Sequence, residues 1–244
     1  MDTRAAAAAS SAAARVAKYD WERLTAELGH YGCGVMERML SSEECRQIAA
    51  LYPQASHFRS QIHMARHGFG KGEYRYFTYP LPCLIEGLRT ALYPHLAKVA
   101  NGWNERLSHD ERYPAEHAQF LRQCHEAGQT RPTPLLLQYV AGDFNCLHQD
   151  IYGAVVFPLQ VTILLSEPGE DFTGGEFVLT EQRPRMQSRA EIVPLRQGDA
   201  VAFAVRTRPV EGAKRTYRVA MRHGVSRVRS GMRHTLGIIF HDAK

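Results

Sequence analysis

Residues 135–240 contain a succession of short β-type segments with no helical pattern between them, and this succession constrains the fold more than any other feature. The predicted strands cover residues 135–140, 155–166, 176–180, 191–195, 200–205, 216–222 and 233–240. Turn signals such as Gly174-Gly175 and Gly198-Asp199 separate them. Because parallel strands need helical crossovers, this spacing predicts an antiparallel double-sheet barrel of the jelly-roll kind.

Composition shifts along the chain predict three parts and an α+β fold that is mainly β. Residues 1–18 are low in complexity and rich in alanine, and they predict a disordered or partly helical tail with no role in the fold. Residues 19–131 predict a helical lead-in and substrate-side region that packs on the barrel. Residues 132–244 predict the barrel itself.

Helical spacing and breaker residues predict where the helices of the lead-in begin and end. A first helix is expected after Tyr19 and is expected to end at Gly29. The stretch 84–126 also has helical spacing, and Pro94 and Pro114 are expected to divide it.

The overall composition is that of an ordinary globular protein of 244 residues with 44% hydrophobic and 23% charged residues. No run of about eighteen apolar residues exists, so no membrane-spanning helix is expected. The five cysteines include no C-x-x-C pair and are odd in number. They favour free thiols in a reducing compartment, which predicts a cytoplasmic protein.

The short strand after Gly142 ends in His148-Gln149-Asp150. Side chains two residues apart on an extended strand point to the same side, so His148 and Asp150 can reach one point in space. Two histidines and one carboxylate hold non-haem Fe(II) on one face and leave three positions open. Alone, His-x-Asp favours a surface or core role over a metal site, and a metal site requires a third ligand from elsewhere.

The distal segment supplies that ligand and a cation. His223 ends one predicted strand before a turn, and Arg233 opens the returning strand ten residues later. An inward guanidinium beside an iron site is what a dicarboxylate co-substrate needs for its remote carboxylate.

These residues carry a resemblance to a known family. Residues 135–240 resemble the catalytic barrel of the Fe(II)/2-oxoglutarate-dependent dioxygenases, most closely the prolyl-4-hydroxylase-like branch, and residues 19–52 resemble the lead-in of such enzymes. The matching motifs are Tyr139-x-x-Gly142-x-Phe144-x-x-x-His148-x-Asp150, Gly174-Gly175-Glu176-Phe177, Gly198-Asp199-Ala200-Val201-Ala202-Phe203, and His223 with Arg233. The resemblance implies a double-stranded β-helix (jelly-roll) core with N-terminal helices packed on it.

The resemblance also implies roles for individual residues and a set of cofactors. Three residues are implied as Fe(II) ligands and are here called the triad: His148, Asp150 and His223. Arg233 is implied to pair with the C5 carboxylate of 2-oxoglutarate, with Tyr139 and Thr235 as further hydrogen-bonding candidates for the co-substrate. O2 is the second co-substrate, and ascorbate is expected as a reductant. The implied chemistry oxidises a substrate C–H bond while 2-oxoglutarate becomes succinate.

Two neighbours of these candidates are expected to have no chemical role. Cys146 shares the His148 side by strand alternation and is expected to be a small buried apolar residue. His234 points away from Arg233 and is expected to be structural or at the surface.

Charge is unevenly distributed, and the distribution favours an anionic partner. The segment 183–233 contains thirteen arginines and lysines against three acidic residues, and twelve of the thirteen are arginine. Arginine is suited to forked contacts with phosphate, so the segment is a candidate nucleic-acid surface, although a solvated strand face has the same composition.

Three functional hypotheses remain open at this point. The C-terminal Arg-His-Thr-Leu-Gly-Ile-Ile-Phe-His-Asp-Ala pattern resembles the bacterial group predicted to oxidise modified or damaged nucleic-acid bases, including oxidative demethylation. The arginine pattern after His223 departs from that of AlkB-type DNA dealkylases. A hydroxylase of protein side chains or small molecules, with residues 57–77 as a loop lining the pocket, is the alternative. A barrel that binds without catalysis is the third.

Overall fold

The computed structural model describes residues 3–150, 153–183, 185–212 and 215–244, with the backbone alone for residues 3–9. The helices are α1 (Thr3–Val16), α2 (Trp21–Tyr31), α3 (Ser42–Ala49), α4 (Cys83–Arg106) and α5 (His117–Glu126). The strands are β1 (Cys33–Met36), β2 (Phe58–His63), β3 (Gly70–Lys71), β4 (Glu73–Phe77), β5 (Leu135–Val140), β6 (Phe144–His148), β7 (Leu159–Leu164), β8 (Phe172–Gly174), β9 (Phe177–Gln182), β10 (Arg189–Val193), β11 (Ala200–Ala204), β12 (Thr207–Glu211), β13 (Thr216–Val225) and β14 (Val228–Ile238).

The strands form two antiparallel sheets. The larger sheet has the order β1-β11-β7-β14-β5-β4-β2, and β8 pairs with β14. The smaller sheet has the order β10-β9-β13-β6-β3, and β12 pairs with β13. This arrangement confirms the predicted jelly-roll architecture and the mainly β fold class, and β5 has the predicted bounds.

Alternation along β7 shows how the larger sheet separates the hydrophobic core from the cavity. Leu159, Val161 and Ile163 belong to the apolar cluster that the sheet shares with α4. Gln160 and Thr162, on the opposite face, line a cavity between the two sheets. The helices therefore cover one face of the larger sheet, and the opposite face lines the cavity.

The predicted division at residue 132 is wrong as a structural boundary. Strand β1 pairs with β11, and β4 pairs with β5, so strands from the lead-in extend the larger sheet at both ends. The segment 57–77, which we expected to be a loop, contributes β2, β3 and β4. The sequence did not predict these strands because their residues are largely polar, and one face of an antiparallel sheet can be exposed to solvent.

Two predicted helix ends are also wrong. Helix α2 continues through Gly29 to Tyr31, and its C-cap Gly32 has a left-handed φ of 82° and donates its backbone N–H to the Leu28 carbonyl. Helix α4 continues through Pro94 to Arg106. The apolar residues that α4 buries on both sides of the proline stabilise the helix across the missing hydrogen bond. None of the helices in the described ranges is long and apolar enough to cross a membrane.

The alanine-rich segment has a fold role that the sequence did not predict. Residues 3–16 form α1, and Ala12 and Val16 are fully buried in the main apolar cluster. Arg15 donates hydrogen bonds to the Met39 carbonyl and to both carboxylate oxygens of Glu44. Small side chains permit close helix packing here, so low complexity does not imply disorder. Residues 1 and 2 lie outside the described ranges.

Candidate active site

The triad lies where β6 and β13 pair, inside the barrel. His148 and His223 are cross-strand partners, and their ring centroids lie 4.2 Å apart. The Nε2 atom of His148 is 3.4 Å from one oxygen of Asp150, and Nε2 of His223 is 3.3 Å from the other. The three side chains therefore offer two nitrogens and a carboxylate within 4.8 Å of one another.

Hydrogen bonding orients the His148 ring towards this point. The Nδ1 atom of His148 lies 2.8 Å from the Cys146 carbonyl oxygen, to which it can bond only as an N–H donor. That tautomer leaves Nε2 with a free lone pair facing Asp150. A backbone carbonyl on the far side of a ligating imidazole is a common feature of protein metal sites.

Electrostatics favour the ligating forms of two of the three groups. Burial raises the pKa of Asp150, but hydrogen bonds and charge from both histidines outweigh it and hold the pKa well below its usual range. Burial lowers the pKa of His223, and the attraction of Asp150 does not offset this. Burial also lowers the pKa of His148, but the hydrogen bond and charge of Asp150 raise it overall. A carboxylate and neutral imidazoles are the forms that bind a cation.

Arg233 lines the same cavity as a buried cation without an anionic partner in the described residues. Its side chain is 1% exposed, and its Nη1 donates to the Thr235 hydroxyl at 2.8 Å. Its Nε has no hydrogen-bond partner among those residues, and burial lowers the pKa of the guanidinium to about 10. A buried charge is normally paired, so this environment suits an anionic ligand.

Tyr139 and Thr235, the two further candidates for binding the co-substrate, lie beside Arg233. The Arg233 guanidinium carbon is 5.6 Å from the centroid of the Tyr139 ring. The Tyr139 hydroxyl is buried and makes no hydrogen bond of normal geometry within the described residues. The unpaired polar atoms of Arg233 and Tyr139 fit a carboxylate, and the triad fits Fe(II), so the residues present suit both implied ligands.

The cavity between the sheets has a volume of about 290 Å³ and is lined by aromatic residues as well as by the triad. Phe69, Tyr74 and Tyr76 come from the segment 57–77, which agrees with its expected place in the pocket wall. Sequence analysis missed Phe203 and Phe177, whose rings lie 4.7 Å and 6.2 Å from the His223 ring. The inward alternation of β9 and β11 was the signal that could have identified them.

The expectation that Cys146 is buried on the His148 side is wrong. Cys146 is exposed, whereas Asn145 lines the cavity. The pairing of β6 with β13 shifts register between His148 and Asn145, and such a bulge breaks the two-residue alternation. His234 agrees with its prediction, since its ring packs edge-on against Tyr52 at 5.7 Å.

Not every arginine of the segment 183–233 lies at the surface, because Arg208 and Arg233 are buried. Arg183, Arg189 and the buried Arg208 all make salt bridges with Glu181. Other arginines of the segment are exposed: 185, 196, 206, 215, 218, 222, 227 and 229. Lys214 lies outside the described residues.

A second groove opens beside the triad. It shares Asp150 with the site, and Arg206, Arg218 and His109 are among its lining residues. Two exposed arginines therefore lie along a path that starts at a candidate metal ligand.

Comparison with known proteins identifies a family that matches most of the chain. Residues 72–243 match the Oxygenase-NA family, described as an oxygenase catalysing oxidative methylation of damaged DNA. Two uncharacterized proteins of Mycobacterium tuberculosis, MT2286 and Rv2227, are each 49% identical to the chain over 167 residues, which is 68% of this chain and 72% of each relative.

Three solved structures share the fold at low sequence identity. A Pseudomonas putida prolyl-4-hydroxylase is 14% identical with a TM-score of 0.53, covering 92% of this chain and 99% of its own. A 2OG-Fe(II) oxygenase family oxidoreductase from Burkholderia pseudomallei is 15% identical with a TM-score of 0.52 and 93% coverage of both chains. A Trichoplax adhaerens prolyl hydroxylase in complex with a hypoxia inducible factor peptide fragment is 15% identical with a TM-score of 0.54, covering 89% and 86%.

Proposed function

We propose that this chain, which belongs to the Oxygenase-NA family of oxygenases, hydroxylates a C–H bond of a modified or damaged nucleic-acid base. The reaction consumes O2 and 2-oxoglutarate and releases succinate and CO2, with Fe(II) supplying the oxidising chemistry when bound. Hydroxylation of an N-methyl group gives an unstable N-hydroxymethyl base, which releases formaldehyde and restores the N–H. Oxidative demethylation is therefore the expected net outcome.

One observation carries the proposed reaction: a single cavity contains both the triad and a buried guanidinium without an anionic partner among the described residues. In this proposal His148, Asp150 and His223 hold Fe(II). Arg233 binds the remote carboxylate of 2-oxoglutarate, and the hydroxyls of Tyr139 and Thr235 orient that carboxylate. The aromatic wall excludes water and offers flat faces for a base.

The proposed nucleic-acid contact is the groove that leaves the site past Asp150. Exposed Arg206 and Arg218 lie in it and can pair with phosphates while a flipped base enters the cavity. The other exposed arginines of the segment can extend the contact. A nucleic-acid substrate carries phosphates that can pair with these arginines, whereas the side chain of a protein substrate does not, so the groove favours a nucleic acid.

Succinate release tests the reaction and the substrate class together. The protein is supplied with Fe(II), ascorbate and 2-oxoglutarate and is presented with panels of methylated oligonucleotides, peptides and metabolites. We expect turnover with at least one methylated oligonucleotide, with formaldehyde formed in equal amount. His223→Ala should abolish it, and His30→Ala, which changes an exposed histidine on α2, should not. Turnover driven by a peptide or metabolite and indifferent to DNA would favour the hydroxylase alternative, and none with any panel would favour a binding-only barrel.

Salt dependence tests the nucleic-acid contact. Affinity for single-stranded and duplex DNA should fall as salt rises, because phosphate contacts release counterions. Arg206→Gln with Arg218→Gln should reduce the slope of log affinity against log salt by about two. Arg183→Gln, which removes an arginine already paired with Glu181, is the matched control. A flat salt response or an absence of binding would refute the contact.

A further inference from the structure

A pair of exposed rings lies at the edge of the cavity that contains the triad. Phe69 is one of the residues that line this cavity, and it is 47% exposed. Its ring is stacked on the ring of His67, with the two centroids 5.2 Å apart and the ring planes 22° from parallel. His67 is exposed as well. Phe69 therefore faces both the cavity and the solvent, with a second ring behind it.

The backbone holds Phe69 beside the strand that carries His148. The Phe69 carbonyl accepts a hydrogen bond of 2.9 Å from the Cys146 N–H, which continues the pairing of β3 with β6. A Cβ on Gly70 would clash with the Phe144 carbonyl oxygen, so only a glycine permits this close approach. Paired strands lie about 5 Å apart and rise about 3.3 Å per residue, so the Cα atoms of Phe69 and His148 are about 8 Å apart. The two rings are therefore neighbours of the candidate metal site.

The other end of the loop 65–69 is anchored by Met64, which is fully buried. The Met64 N–H donates to the Gly72 carbonyl at 3.0 Å, and the Met64 carbonyl accepts from the Phe69 N–H at 3.2 Å. All five residues of the loop itself are exposed. A loop that is fixed at both ends presents its side chains to a partner with a small loss of conformational entropy.

Positive charge accompanies the exposed rings. Arg66 is exposed and makes no salt bridge with a described residue. The Lys71 side chain is 59% exposed, and its Nζ lies 3.5 Å from a carboxylate oxygen of Asp143. Cations beside flat rings suit a single nucleic-acid strand, since phosphates pair with the cations and bases stack on the rings. The charge of the loop thus favours a nucleic acid over an uncharged apolar partner.

The stacking of the two rings distinguishes between two ways of contacting bases. A ring that wedges into a duplex has a base against each of its faces, whereas a platform at the end of a row of stacked bases needs one free face. His67 covers one face of Phe69. A flipped base vacates a layer of about 3.4 Å in a duplex, and the two centroids are already 5.2 Å apart. The pair therefore suits the end of a single-stranded stack.

We propose that Phe69, with His67 behind it, is the platform on which the base next to the target stacks while the target enters the cavity. The inference rests on the proposed function and narrows its substrate to single-stranded nucleic acid. In a single strand the neighbouring base is free to move onto the platform, whereas in a duplex it must first lose its own pairing. Phe69 and His67 thus determine specificity for the form of the nucleic acid.

Removal of the ring and removal of the neighbouring base should have the same effect if the two stack on each other. With Mn(II) and 2-oxoglutarate and without O2, Phe69→Leu should weaken binding of a methylated single-stranded oligonucleotide about tenfold. An abasic site beside the methylated base should weaken binding by the wild type by about the same factor. Phe69→Leu should then cause no further loss with the abasic oligonucleotide. The abasic site is placed 5′ and 3′ of the target in turn, and the coupling is expected at one of these positions.

Two variants control for lost surface and for altered folding. Tyr31→Leu removes an aromatic side chain that is 44% exposed and lies edge-on to His30 at 4.5 Å, outside the cavity, and it should leave the affinity unchanged. Phe69→Trp keeps a flat ring and should retain the affinity within about threefold. The Kd of 2-oxoglutarate should be the same in all of these proteins, whereas a distorted barrel would bind it more weakly.

Turnover of single-stranded and duplex oligonucleotides of the same sequence gives a second readout. The wild-type kcat/KM should be at least about tenfold higher on the single strand, and Phe69→Leu should narrow this ratio. An equal loss on intact and abasic oligonucleotides, a larger loss on the duplex, or no loss would each overturn the inference while leaving the proposed function in place. Failure of the wild type to act on any methylated oligonucleotide would overturn the proposed function and this inference with it.

Discussion

Two arginines of this protein are buried to nearly the same extent but differ in what surrounds them. Arg89 on α4 is 2% exposed, and Arg233 on β14 is 1% exposed. The Arg89 guanidinium donates to three backbone carbonyls of residues 239–241 and makes a salt bridge of 2.9 Å with Asp242. Arg233 donates only to Thr235 within the described residues.

The difference separates a structural cation from a binding cation. Burial of a charge is costly, and a fold retains it where a partner compensates the lost hydration. For Arg89 that partner is the C-terminal segment, which it holds against α4 and α5. For Arg233 no described residue provides a carboxylate, which is why we assign the partner to a ligand. Two equally buried arginines thus differ in role: Arg89 stabilises the fold, whereas Arg233 is assigned to ligand binding.

Arg89→Met should give the largest effect on folding. The substitution leaves the carboxylate of Asp242, which is fully buried, without its guanidinium, and we expect a loss of about 3–5 kcal/mol in the free energy of unfolding. Urea denaturation measures it. Arg106→Met, which removes an exposed partner of Glu211 from the same helix, should cost less than about 1 kcal/mol. A loss below 1 kcal/mol for Arg89→Met would remove the contrast between the two arginines.

Arg233→Met should have the opposite profile. Removing an unpaired buried charge should leave the stability of the free protein unchanged or slightly higher. Binding of 2-oxoglutarate should weaken on the order of 100-fold, since two charge-assisted hydrogen bonds contribute about 3 kcal/mol together. 2-Oxoglutarate at 100 times its wild-type Kd should raise the free energy of unfolding of the wild type by about 2.7 kcal/mol and that of the variant far less. Equal stabilisation of both proteins by 2-oxoglutarate would contradict the assignment of Arg233.

Sequence reasoning found Arg233 but not Arg89, and the reason is physical. Arg233 belongs to a local pattern, in which His223 near the end of β13 is followed ten residues later by the arginine on β14. His148 and Asp150 belong to another such pattern, and antiparallel pairing of β6 with β13 brings the two together. Patterns of this kind can be read from spacing.

The remaining features depend on contacts between distant parts of the chain. Arg89 and Asp242 are 153 residues apart, and neither has a local signal for the other. Arg15 similarly finds Glu44 only because α1 packs on the core. The bulge that exposes Cys146 is a property of two paired strands, so one strand's alternation cannot show it.

Acid should destabilise the Arg89 region selectively. Burial and the charge of Arg89 lower the pKa of His117 to about 3 and that of His241 to about 4, from an ordinary 6.5. The unfolded chain therefore takes up protons first, so this stability is complete above pH 6.5 and is lost as pH falls towards 4. Each histidine should contribute a slope of about 1.4 kcal/mol per pH unit in that window.

Urea midpoints from pH 8 to pH 4.5 measure this slope. His117→Phe replaces a buried neutral imidazole with an apolar ring and should remove its share of the slope, whereas His30→Phe on the surface should not. A slope that is unchanged in His117→Phe would show that the acid sensitivity arises elsewhere in the protein.

Arg15 extends the comparison to a partly exposed cation, where the smallest effect is expected. Its side chain is 25% exposed and bonds Glu44 and the Met39 carbonyl, so Arg15→Met should cost about 0.5–1 kcal/mol by urea denaturation. Arg23→Met, which removes a more exposed i,i+4 pair with Glu27, should cost about 0.3 kcal/mol. Equal losses in the two variants would show that the stability cost of removing an arginine does not depend on how far it is buried. If Arg15→Met costs more, the alanine-rich helix is held to the core through its partners, as Arg89 holds the C-terminus.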